Sequence, residues 1–197
     1  MIKKMNISQS QPLNNEISSI IIDDFNIYES WHDKVRFREV IDALFAQAKS
    51  PQIFFQFRRE ESLFLSNKAI LEYRDEIPNH FGSHGRYKVV RKIDEVRFDS
   101  FGVLENNQRT IDYIPILWNY FYSCDFFVPT LDLTFDYLIS HYNDLMDDID
   151  GLTLFKNDLI DLICIKGLGG DYLTINYRNT YEMPNLKNIV SSRPTLR

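Results

Sequence analysis

The stretch DLICIKGLGGDYLTINY, residues 161–177, narrows the choice of folds more than any other part of this chain. Two β-prone runs flank a connection of a few residues built around Gly167, Gly169 and Gly170. So short a connection joins antiparallel neighbours, because parallel strands need a crossover of about a dozen residues or more. The glycines are read as hairpin residues that take positive φ. They do not make a nucleotide site: the dinucleotide pattern needs glycine where Tyr172 stands, and a strand follows instead of the helix whose start holds phosphate. A P-loop pattern is absent from the sequence as well.

Other segments carry the same period of two. ISSIIIDDF (17–25) is a β-branched run, and Gln52–Arg58 alternates Ile53, Phe55 and Phe57 against Phe54 and Gln56. A short strand is expected over 62–65, and residues 86–93 and 95–101 read as an antiparallel pair about Asp94. Helical spacing appears between them. Residues 31–49 place Val35, Ile41, Leu44, Phe45 and Ala48 on one stripe before Ser50-Pro51 ends the run. Ser66 can cap a helix over 67–81 that Pro78 distorts. Residues 131–150 place Phe135, Leu138, Ile139, Tyr142, Leu145, Met146 and Ile149 on one apolar face. The aromatic run 110–128 fits a helix entered through Pro115 and fits a buried strand nearly as well.

Interspersed strands and helices without regular βαβ alternation point to an α+β fold, a mostly antiparallel sheet with helices packed on one face. A chain of 197 residues suffices for one well-cored domain. Residues 1–16, polar and rich in Asn, Gln and Ser, read as a flexible N-terminal arm, 17–180 as the single domain and 181–197 as an irregular tail.

The net charge of −6 is unevenly placed. Residues 1–109 balance, whereas 110–171 hold two lysines against eleven acids, every one of them Asp. That block also holds Trp118, Tyr120 and Tyr122. In the helix expected over 131–150, Asp144, Asp147 and Asp148 share the face opposite the apolar stripe, with Asp150 following. At a helix C-terminus they oppose the dipole and repel one another, so a cation is expected to offset them. The calcium-loop pattern fails, since Met146 and Asn157 would stand at the first and twelfth positions. His141, Asp144 and Asp148 form the one trio with ligand spacing on a helix, and a metal-assisted hydrolase built on them is the rival reading. His80 and His84 are separated by Gly82, which breaks the helix that would align them.

No nucleophile motif and no cofactor signature is present. The basic residues Arg86, Lys88, Arg91, Lys92 and Arg97 are interleaved with Asp94, Glu95 and Asp99, which argues against nucleic acid. No apolar run reaches membrane-spanning length, and no signal-peptide pattern opens the chain. Cys124 and Cys164 sit in apolar surroundings as reduced thiols would, so a cytoplasmic protein is expected. The all-Asp, aromatic-rich block then points to an interaction module for a basic protein partner, an inhibitor of the immunity or antitoxin type. Asp144, Asp147, Asp148, Asp150, Trp118, Tyr120 and Tyr122 are its candidate contacts. A structural or accessory protein is the remaining class.

Overall fold

The computed structural model describes residues 6–23, 31–60, 85–92, 97–120, 124–145, 152–167 and 172–191. Eight strands form one sheet: β1 (Asn6–Pro12), β2 (Ile17–Asp23), β3 (Gln52–Glu60), β4 (Gly85–Lys92), β5 (Arg97–Glu105), β6 (Cys124–Pro129), β7 (Ile160–Lys166) and β8 (Tyr172–Arg178). Their order is β1-β2-β8-β7-β6-β3-β5-β4, and every neighbouring pair is antiparallel. The described helices are α1 (Trp31–Ala46), α2 (Gln108–Tyr120), α3 (Phe135–Ser140), α4 (Tyr142–Leu145), α5 (Leu152–Lys156) and α6 (Leu186–Ser191). The protein is an α+β fold on a single antiparallel sheet.

Alternation along the strands sorts the core into two clusters. Ile53, Phe55 and Phe57 of β3 and Cys124, Phe126 and Val128 of β6 point to one face. There they meet Val40, Ile41, Leu44 and Phe45 of α1, Ile111 and Ile114 of α2, and Leu186 and Val190 of α6. Phe54 and Phe127 point to the other face, with Phe101 and Val103 of β5 and Ile163 of β7. That face is covered too, by Phe135 and Leu138 of α3, Tyr142 and Leu145 of α4, and Leu154 and Phe155 of α5. The longer helices α1 and α2 thus share one side with α6, while three short helical turns shield the reverse. Stacked rings run through both layers: Phe57 on Phe55 at 5.4 Å, Phe55 on Phe126 at 5.6 Å, and Phe101 on Phe127 at 5.6 Å.

Several sequence expectations meet the structure directly. The hairpin at 161–177 is the β7–β8 pair, with Ile163 opposite Asn176. The 86–93 and 95–101 runs are β4 and β5. The aromatic run 110–128 resolves into both alternatives in turn, α2 and then β6. Cys124 and Cys164 are buried thiols, not joined in a disulfide. Two segments differ. The polar stretch read as an arm contributes β1, held along Ile17–Asp23 by the main-chain ladder and by Ile7, which packs against the core. The tail contributes α6, anchored by buried Leu186 and Val190. The strand expected over 62–65 and the helix over 67–81 lie outside the described residues. No helix among the described residues is long and apolar enough to cross a membrane.

Candidate functional site

The acidic helix expected over 131–150 is interrupted. Thr134 caps α3, its hydroxyl accepting from the Tyr137 amide at 3.2 Å, and α3 ends at Ser140. His141 leaves the helical conformation (φ −113°, ψ 20°), and α4 is a single turn beyond it. The cause is local. The Tyr137 carbonyl accepts the His141 amide at 3.1 Å and also lies 3.0 Å from His141 Nδ1 and 2.9 Å from the Ser140 hydroxyl. Side chains that bond the preceding turn in this way bend or end a helix. Asp144 consequently sits in the first turn of α4 and not in the last turn of a long helix. The dipole argument for its being misplaced therefore falls away, while its exposure remains.

Burial follows the stripe read from the sequence. Phe135, Leu138, Tyr142 and Leu145 are buried and Ile139 is half-buried. The outward side carries Asp132, Asp136, Tyr137, His141 and Asp144, all exposed. Leu131 is 72% exposed at the preceding turn and Tyr137 is 45% exposed, large apolar groups left facing solvent. Tyr137 stacks on His141 with ring centroids 4.3 Å apart. Between Leu131 and Leu145 the chain has no lysine or arginine. Leu131, Asp132, Asp136 and Tyr137 were not singled out from the sequence, although the same helical spacing that marked Asp144 places Asp132 and Asp136 off the apolar stripe.

The other expected contacts scatter. Trp118 and Tyr120 belong to the last turns of α2, which packs on α1 and feeds Ile111 and Ile114 into the core of the opposite sheet face. The α1–α2 contact is reinforced by Arg38 pairing with Asp112 at 2.7 Å and Gln108 donating to Asp42 at 3.1 Å. Tyr122, Asp147, Asp148 and Asp150 lie outside the described residues. Of the His141, Asp144 and Asp148 trio, His141 and Asp144 are described and both are exposed. Among the described residues no three His, Cys, Asp or Glu side chains are placed to hold a metal ion.

A second acidic group lies beneath this surface. Asp125 of β6 pairs across the strands with Gln56 of β3, so both side chains leave the sheet on the α4 side. Gln56 Nε2 donates to the Tyr142 hydroxyl at 3.3 Å, tying that position to α4. Burial pushes the Asp125 carboxyl up to about 7, while the Lys166 amide, which donates to it, and the Lys166 charge act to lower it. Lys166 is itself lowered by burial, against the pull of Cys124 and Asp125. A carboxyl in such a setting holds a proton near neutral pH.

No protein-family model, curated protein or solved structure matches the chain.

Proposed function

We propose that the protein is an interaction module that binds and neutralises a basic protein partner, in the manner of an immunity or antitoxin inhibitor. The observation that carries this reading is the outward side of α3–α4, where exposed Leu131 and Tyr137 sit among exposed Asp132, Asp136 and Asp144. Apolar groups of this size give an interface its anchors, and carboxylates around them steer and orient a cationic partner. A guanidinium of the partner can pair with a carboxylate and lie against the Tyr137 ring at the same time. Fixed carboxylates also occupy the place of substrate phosphates in a cationic cleft, which is how an acidic surface blocks a basic toxin.

Parallel affinity capture with the native chain and with the triple variant Asp132→Asn, Asp136→Asn, Asp144→Asn tests it. The native chain retains a basic protein, the variant loses it, and the complex dissociates between roughly 0.1 and 0.5 M salt. The partner's toxic activity falls on adding the native chain only. Because all three side chains are exposed, the variant keeps its stability within about 0.5 kcal/mol. Equal retention by both chains removes the α3–α4 surface from the reading, and a strongly acidic partner overturns it.

A further inference from the structure

Among the described residues β1 and β4 are the outermost strands of the sheet, and they are built differently. β4, GRYKVVRK, carries Arg86, Lys88, Arg91 and Lys92, the kind of charge that keeps an edge from pairing with another strand. β1, NISQSQP, has no charged residue at all. The Leu13 amide donates to the Ile17 carbonyl at 2.8 Å, which sets the alternation of the ladder. Gln11 then bonds toward β2, while the main-chain groups of Ser10 and Pro12 face the outer edge. Pro12 has no N–H to offer there, and a shift in register between Ile7 and Gln9 interrupts the ladder at the other end. A short, uncharged length of edge is left between these two irregularities.

Beside that edge lies a cavity of about 570 Å³ between β1 and α6. Ser8, Ser10 and Ile20 line its sheet side, and Leu186, Lys187 and Val190 line its helix side. Hydroxyl and amide side chains share the lining with aliphatic ones, and Lys187 is the one charged residue among those lining it. An open strand edge, a helix alongside and a cavity between them form the arrangement in which an extended peptide joins a sheet. The main chain of such a peptide bonds to the edge, and alternate side chains enter the pocket.

We propose that β1 and α6 form a docking groove for a short extended segment of a partner protein. The segment adds to β1 as an outer strand, places a small apolar side chain in the cavity and sets an acidic side chain against Lys187. The groove lies on the α1 side of the sheet, so it is independent of the α3–α4 surface.

Peptides of about twelve random residues displayed on phage are selected against the full chain, and the selected sequences are synthesised for fluorescence-anisotropy titration. The expected peptides carry an acidic residue in a β-prone run, and they protect the outward-facing Ser10 amide from hydrogen exchange. Their affinity falls about tenfold or more with Ser8→Trp, with Lys187→Glu, and when alternate peptide amides are N-methylated. The triple Asn variant of the α3–α4 surface binds them as the native chain does. Ser8 and Lys187 are exposed, and unchanged thermal midpoints confirm that both substitutions leave the fold intact. A selection that yields no peptide overturns the proposal. So does a set of peptides indifferent to Ser8→Trp and Lys187→Glu, or indifferent to N-methylation at every amide.

Discussion

Arg178 reaches from β8 beneath the turn that joins α5 to β7, where its Nε donates to the Ile160 carbonyl at 2.9 Å and a terminal nitrogen donates to the Phe155 carbonyl. The guanidinium also lies 5.7 Å from the Phe155 ring centre and pairs with Asp158 at 2.9 Å. Asp158 is 85% exposed, so the ion pair contributes little, and the two carbonyls are what the guanidinium holds. Arg178→Met should therefore cost about 1–3 kcal/mol in urea unfolding, because it takes the donor from the part-buried Ile160 carbonyl and leaves the Phe155 carbonyl with the Asp158 amide alone. Asp158 has φ 57°, a left-handed conformation that glycine adopts without strain. Asp158→Gly should lose the ion pair yet stay within about 1 kcal/mol of the parent. Asp125 acts in the opposite sense. Its carboxyl titrates near 7 when folded and near 3.8 when free, so between those values the folded state holds a proton that the unfolded state has released. Its contribution is intact below pH 4 and is lost progressively as the pH rises to about 7. Asp125→Asn should be more stable than the parent at pH 8, by up to roughly 3 kcal/mol, with the difference closing toward pH 4. A chemical-denaturation series across that range measures the convergence.

At the scale of elements, two glycines show how closely strands and rings are fitted. A Cβ on Gly102 would stand 2.2 Å from the buried Phe55 ring, which is itself stacked between Phe57 and Phe126 and has nowhere to go. A Cβ on Gly167 would meet the Tyr172 ring at 2.5 Å, but Tyr172 is 38% exposed and can swing outward. Gly102→Ala should cost about 2–3 kcal/mol and Gly167→Ala under about 1 kcal/mol, read from urea midpoints at constant slope. The Gly167 result also corrects the reason for that glycine. Its place in the hairpin follows from the close approach of a ring, whereas sequence reasoning supplied positive φ. Strands with strict alternation, such as Ile53–Phe57, were legible because the period of two is written in single residues. The break at His141 was not, because it depends on which donor reaches the Tyr137 carbonyl first. Strand β1 was hidden for a related reason: it is held mainly by main-chain bonds, and its Asn, Ser and Gln leave no alternating pattern.

For the whole molecule, the charge asymmetry read from the sequence becomes a spatial one. The exposed acids of α3–α4 lie on one side of the sheet, the basic residues lie along its β4 edge, and the uncharged β1 edge lies at the far end. Composition announced the excess of aspartate but could not say that α2, with Trp118 and Tyr120, would pack on the side away from Asp144. Which face an element covers is decided by long-range strand order, and no local signal encodes it. The same order has a consequence for how the chain is made. β2 lies beside β8, so Ile17–Asp23 pairs with Tyr172–Arg178 across the intervening residues 24–171. As synthesis proceeds, the isoleucine-rich β2 emerges just after its partner β1 and waits for its other neighbour, β8, until β3 to β7 have been made. Until β8 has been made, the sheet cannot close on that side of β2. Folding dominated by so distant a pairing belongs to the slow, millisecond-to-second class, and the waiting strand is the segment a chaperone would find exposed.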